Sequence, residues 1–425
     1  MFDAGRLASA MAVGVLTASL SLGSAAAETT IKLHYAYPQV VKPIHDLVIE
    51  KFEKEHPDVK VQILAPANNY DEQMQLVLRG TITDDLPDIA FVGPNWTPVV
   101  ADRGIAEPID DLVSAEADWE ARGYGAGMMR MGKFNGHVYG LPLAISTPVL
   151  YYNVDLVRQA GGDPDNFPRD WDGIFELAAK ISALGPDIEG VHLTRNPGNW
   201  YLQTLVQTQG GKLISDDQSE IGFDNEIGLA SLEVFDRAVK EGGMLDTTRS
   251  AARQNFAAGK QGITWNSIAQ VVRTIKNVDG RFEFRTAPLP TPIGPEQALI
   301  AAGGNVGVIL TKDEATRQAA WEYLKLATSA WGGEVVVKNS GYMAPNQLLA
   351  DDPRYLGDFY RENPNFATPL EQLPLVTPFY AYPGDNGLKI NKAIHDRVNE
   401  VVAQRMTPEE ALSEITAEVK KLLKN

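Results

Sequence analysis

A chain of 425 residues with 44% hydrophobic content is long enough to bury more than one core, so two lobes are the expectation. Its 55 acidic against 38 basic residues leave a formal charge of −17, which argues against nucleic acid as a partner because phosphate backbones are held by clustered Lys and Arg. There are no cysteines, which excludes a disulfide framework and a lipid-modified cysteine.

The chain opens with Arg6, an apolar run from about Leu7 to Leu22, and Ala25-Ala26-Ala27 before Glu28. This is the pattern of a secretory signal peptide over residues 1–27, removed to leave a protein free in solution rather than anchored. No later stretch is long and apolar enough to span a bilayer. Thr30 to Tyr37 alternates as a half-buried strand, and Ile44, Leu47, Val48 and Phe52 then fall at helical spacing before the stop at His56-Pro57-Asp58. A second strand is predicted from Val59, a helix over Tyr70 to Arg79 closed by Gly80, and a third strand in PDIAFVG ended by Gly93-Pro94. The order βαβαβ predicts a largely parallel sheet with helices on both faces, whose ligands sit beyond the carboxyl ends of the strands.

Leu141 to Val157, LPLAISTPVLYYNVDLV, places two hydroxyls and a proline before the apolar run VLYY and an Asn-x-Asp after it, and here a second α/β unit begins. WDGIFELAAKISALG is an amphipathic helix with Trp171, Ile174, Leu177, Ala178 and Ile181 on one face. RFEFRTAPLPTP reads as a strand running into a Pro-rich crossing, and AAGGNVGVIL as a strand returning to the first lobe. The tail carries a Thr407-to-Glu410 capping box, Pro408 at the first helical position, and Leu412, Ile415, Val419 and Leu422 on one face.

Catalytic signatures are sparse. The stretch Gly127 to Lys133 is close to a phosphate loop, but Phe134 stands where Ser or Thr must hold magnesium and no strand precedes it. There is no G-x-S-x-G and no H-E-x-x-H, and the six histidines show no metal-ligand spacing, so neither cofactor nor metal is expected. Carboxylates are plentiful, and a glycosidase-like pair is the enzymatic alternative. Instead, aromatic and amide residues gather at strand exits: Asn95 and Trp96 after Gly93-Pro94, Trp200 after Gly198-Asn199, and Trp265-Asn266-Ser267 after a short strand. Indole faces beside amides and hydroxyls suit a sugar ring or polyol.

On STPVLYYN (Ser146 to Asn153), the FPRD before Trp171, AAGGNVGV (Ala301 to Val308), KNSGYMAPN (Lys338 to Asn346), and GLKI followed by MTPEEAL, the chain resembles the carbohydrate-type solute-binding proteins of ABC importers, in particular the glycerol 3-phosphate-binding branch. The resemblance spans the mature chain. It implies an α/β, two-lobed periplasmic binding protein fold, each lobe a mostly parallel sheet flanked by helices, with the ligand cleft between lobes that close by hinge motion. The implied partition is 28–143 with 288–330 for lobe 1 and 144–287 with 331–425 for lobe 2. Carried over position by position, the resemblance implies ligand contacts at Tyr70, Ser146, Trp200, Ser267, Tyr342 and Gly304, the last a backbone donor where a side chain would block approach, and Gly303 is a candidate beside it. Trp265 and Asn266 join them as strand-exit residues. Two positions depart from the branch: Pro94 stands where it has an acidic residue, leaving Asn95 as the substitute acceptor beside Trp96, and Lys389 stands where it has an arginine. Lysine keeps the charge but loses the bidentate fork for phosphate. The implied function is capture of a sugar, polyol or anionic sugar derivative in the periplasm by a monomer that delivers it to the transmembrane subunits and ATPase of an ABC permease. A receptor that serves signalling alone is the other alternative.

Overall fold

The computed structural model describes Met1 and residues 29–125, 129–196, 198–294 and 296–424. But for Met1, the signal peptide read over 1–27 lies outside the described residues, as do residues 127 and 128 of the Gly127 to Lys133 stretch.

The strands, in chain order, are β1 (Thr29–Tyr35), β2 (Val59–Ile63), β3 (Ile89–Val92), the short hairpin β4 (Lys133–Phe134) and β5 (His137–Val138), β6 (Gly140–Ser146), β7 (Pro148–Asn153), β8 (Glu189–Leu193), β9 (Gln261–Ser267), β10 (Phe284–Ala287), β11 (Ile300–Ile309) and β12 (Val376–Pro378). The predicted βαβαβ unit is present: β1 pairs in parallel with β2 on one side and β3 on the other, with the helices Pro38–Glu55 and Tyr70–Thr83 between them in sequence. Leu47, placed by periodicity on the buried face of the first helix, is instead exposed, while Val40, Val41, Ile44, Val48 and Phe52 carry the packing.

The first sheet runs β12-β11-β3-β1-β2, with β6 also paired to β11. The second runs β10-β7-β9-β8. Both are mixed rather than mostly parallel. The strands that carry the chain between lobes are antiparallel to their neighbours, β11 to β3 and β6, β7 to β9 and β10. Each sheet has its own apolar core. Ile31, Leu33, Phe91 and Leu141 meet Trp321, Tyr323 and Leu324 in the first, and Leu150, Val191, Ile263 and Trp265 meet Ile174, Phe175, Phe235, Ile394 and Ile415 in the second.

Between the lobes the chain crosses at Thr147, where β6 of the first sheet gives way to β7 of the second, and again over residues 288–299, between β10 and β11. Gln372 pins the first crossing, its Nε2 donating to Thr147 Oγ1 at 2.7 Å and to the Pro148 carbonyl at 3.0 Å. The partition read from sequence shifts at three places, one of them β12, which was read into lobe 2 but pairs with β11 in the first sheet. Ala144 to Ser146 still pair with β11 in the first sheet. The helix Ala330–Ser340 packs on the helix Pro38–Glu55, with Val336 in the first core, so that segment lies with lobe 1. The Asn-x-Asp after VLYY is a helix start: Asn153 Oδ1 accepts from the Asp155 and Leu156 amides. The C-terminal helix Pro408–Leu423 has its capping box, with Thr407 and Glu410 bonded reciprocally.

Candidate ligand site between the lobes

The exits of the parallel strands set the site. Tyr37 follows β1, Tyr70 opens the helix after β2, and Pro94 follows β3, so three consecutive βα junctions of the first lobe converge on one place. Tyr37 sits in the left-handed region (φ 57) as the N-cap of its helix, which ends the strand two residues earlier than alternation predicts. Asn69 caps the next helix by accepting from the Glu72 amide at 2.9 Å, fixing Tyr70 at its first turn. The rings of Tyr37 and Tyr70 meet edge to face at 5.1 Å.

From the second lobe come Asn196 and Trp200 after β8, Ser267 and Gln270 after β9, and Arg249 at the start of the helix Arg249–Ala257. Together these two sets line a cavity whose empty space, including the part open to solvent, is about 570 Å³. Its floor is the crossing itself. Ser146 and Ser267, at the ends of β6 and β9, share a hydrogen bond at 2.6 Å. An antiparallel bridge between Ile145 and Met343 sets Tyr342 alongside. Burial pushes the phenols of Tyr70 and Tyr342 well above the ordinary tyrosine range, and their hydroxyls face each other. Both therefore remain neutral hydrogen-bonding groups.

Trp200 closes one wall. Its Nε1 donates to the Ala301 carbonyl at 2.8 Å, tying a second-lobe helix to β11. A Cβ on Gly303 would lie 2.9 Å from the indole edge, so the glycine there gives the ring its room. Gly304 has a different reason: its φ is +109 and a Cβ would meet the Ala144 carbonyl at 1.9 Å. Close pairing with β6 demands it, where sequence reading looked to ligand approach.

Of the residues singled out by sequence, Tyr70, Ser146, Trp200, Ser267, Gly303, Gly304 and Tyr342 line this cavity. The others do not. Trp265 is fully buried in the second core, tilted against Trp171 (5.6 Å) and edge to face with Tyr201 (5.0 Å), because its side chain points to the helix-covered face of β9. Trp96 is buried in the core of the first lobe, and Asn95 beside it is sealed off with neither side-chain atom hydrogen-bonded. Asn266 turns to a smaller neighbouring cavity and accepts from the Tyr201 hydroxyl at 3.3 Å. Lys389 donates to Asn386 at 2.9 Å on its own helix start, away from the cavity. Tyr37, Asn196, Arg249 and Gln270 were missed. Asn196 lies in a loop whose Asn-Pro-Gly chemistry was legible, whereas nothing in Thr-Thr-Arg-Ser marks Arg249.

Asp71, next to Tyr70, faces the Asn391 amide and the Trp96 indole, and burial raises its carboxyl to about 6. No described helix is long and apolar enough to cross a membrane. The arrangement can hold a small hydroxylated solute. Its lining offers aromatic edges and faces, serine, tyrosine and amide groups able to exchange hydrogen bonds, and one cation at the side.

A family model described as bacterial extracellular solute-binding protein matches residues 37–333. The chain is 22% identical over 426 residues to the sn-glycerol-3-phosphate-binding periplasmic protein UgpB of Escherichia coli (strain K12), covering 95% of this chain and 94% of that one. Among solved structures it is similar to UgpB from Mycobacterium tuberculosis in complex with glycerophosphocholine, with TM-score 0.80, 22% identity, and 92% and 98% of the two chains covered. It is also similar to maltose-bound MalE3 of T. maritima, with TM-score 0.78, 21% identity, and 93% and 100% covered.

Proposed function

Since the chain belongs to the bacterial extracellular solute-binding protein family, we propose that it is the receptor of an ABC importer, capturing a small carbohydrate-like solute between its lobes and handing it to a membrane permease with its ATPase. The observation that supports this reading is the cavity itself. It lies at the strand exits of both lobes, its aromatic walls come from Tyr37, Tyr70, Tyr342 and Trp200, and its floor is the serine pair at the crossing. Hydroxyl groups and C–H faces of a sugar, polyol or glycerophosphate-like molecule match that lining. The protein acts as a monomer in the periplasm after removal of residues 1–27, and without cysteine it carries no lipid anchor there. It releases its ligand chemically unchanged.

The test is a thermal-shift and calorimetry panel of maltose, D-tagatose, sn-glycerol 3-phosphate and glycerophosphocholine, with mass spectrometry of the ligand after incubation. A ligand of the folded state adds RT ln(1 + [L]/Kd), about 2.7 kcal/mol at a hundredfold excess over Kd, and a rise in melting temperature is expected for at least one member. Turnover of the ligand would show the enzymatic alternative. No shift across the panel would overturn the carbohydrate-like assignment.

A further inference from the structure

Most of the sheltered arginines of this acidic chain are neutralised. Arg195, Arg237, Arg285, Arg317 and Arg397 are each partly buried and each lies within 4.0 Å of a carboxylate. Among the described residues, three partly buried arginines have no such partner: Arg249, Arg253 and Arg273. They are neighbours. Arg249 and Arg253 sit one turn apart on the helix Arg249–Ala257, and Arg273 lies on the following helix Val271–Val278. Burial, with the like charges of Arg249 and Arg273, pushes Arg253 down to about 10. Three unneutralised cations sharing a sheltered corner destabilise the ligand-free protein, and the surplus of acidic residues supplies no carboxylate to relieve them.

Their position explains what would relieve them. Arg249 lines the interlobe cavity, its guanidinium 5.9 Å from the Tyr37 ring, and its buried Nε has no acceptor. Asn196 and Gln270 line the same wall, and the side-chain carbonyl of each is buried without a donor. Gln270 also lines the smaller adjoining cavity, where Arg253 and Arg273 stand. Asp71, at the same end of the first lobe, faces Asn391 and Trp96 rather than these arginines. Lys389, the cation that sequence reading placed at the ligand, is bonded elsewhere.

We propose that the ligand carries an oxyanion group, a carboxylate, sulfonate or phosphate, received by Arg249 in the interlobe cavity, with Arg253 and Arg273 behind Gln270 supplying a positive field. This rests on the solute-binding reading above and names its ligand class. The planar fork of Arg249 matches two oxygens of such a group, and the free carbonyls of Asn196 and Gln270 accept from the hydroxyls beside it. A neutral sugar would leave the corner unneutralised.

The experiment is calorimetry on the full mature chain with three matched pairs: sn-glycerol 3-phosphate and glycerol, D-glucuronate and D-glucose, and glucose 6-phosphate and glucose. Wild type, Arg249→Gln, Arg249→Lys and Lys389→Met are compared. At least one anion is expected to bind more than tenfold tighter than its neutral partner and to weaken as salt rises. Arg249→Gln is expected to lose at least tenfold for that anion, Arg249→Lys less, and Lys389→Met nothing. If a neutral member binds as tightly as its anionic partner to the wild type, the proposal fails and the solute-binding reading stands. If no member of any pair binds or raises the melting temperature, the proposal fails, and the wider panel of maltose and D-tagatose decides whether the solute-binding reading falls with it.

Discussion

Two tryptophans show how a residue's role depends on which side of a strand it occupies. Trp200 and Trp265 both follow strand or loop signals and both stand beside amides, yet only Trp200 reaches the cavity, because Trp265 faces the helices that cover the second sheet. Trp265→Ala is expected to cost roughly 3–5 kcal/mol of stability, read as a lowered denaturation midpoint. Trp200→Phe is expected to leave the fold intact and weaken ligand binding, read by calorimetry. Sequence reveals that a tryptophan is present at a strand exit; it does not reveal the face, since a shift of one residue reverses every side chain. Arg249 was illegible for a related reason: its importance comes from carboxylates that are not nearby, and that is a property of the folded arrangement. Asp71 adds a pH signature. With its carboxyl raised to about 6 from an unfolded value near 3.8, the folded state holds more protons than the unfolded between those values. The contribution of this group to stability is therefore present at low pH and lost as pH rises through about 6, on the order of 3 kcal/mol in all. Asp71→Asn should flatten the melting temperature over that interval, and an unchanged profile would place the carboxyl in water.

At the scale of elements, the glycine pair of β11 separates two effects that sequence ran together. Gly304→Ala meets a backbone carbonyl in a left-handed conformation and is expected to destabilise by roughly 2–4 kcal/mol. Gly303→Ala meets only the edge of Trp200 and is expected to keep most of the stability while displacing the ring and weakening binding. Equal losses of stability in urea titrations would show that both serve the strand alone. What was legible at this scale is local: the helix starts at Asn153 and Thr407, the amphipathic face from Trp171 to Ile181, and the strand-helix alternation of residues 29–92. Each depends on neighbours within a few positions. The antiparallel entry of β7 and β11 was not legible, because pairing direction is decided by where the chain crosses, far away in sequence.

For the whole molecule, the two-lobed organisation followed from length and from the changes in strand pattern, and it matches the fold of the solved relatives. The lobe boundaries were less accessible, since the helix Ala330–Ser340 is assigned by the surface it packs on and not by its own composition. One feature of the first sheet governs the timing of its assembly. β11 lies in its interior, flanked by β3 on one side and by β6 and β12 on the other, yet it is made of residues 300–309. A growing chain therefore holds β1, β2 and β3 for about two hundred further residues of synthesis or more, and β6 for about a hundred and fifty, with an unpaired edge between them, and the lobe cannot close until the late strand arrives. For a chain exported unfolded across a membrane, as the periplasmic reading proposed above requires, that delay has a use: no stable intermediate of the first lobe forms to block the pore. A chain ended after Pro290 should accordingly be digested rapidly by protease and show no cooperative melting, whereas the complete chain resists and melts as a unit.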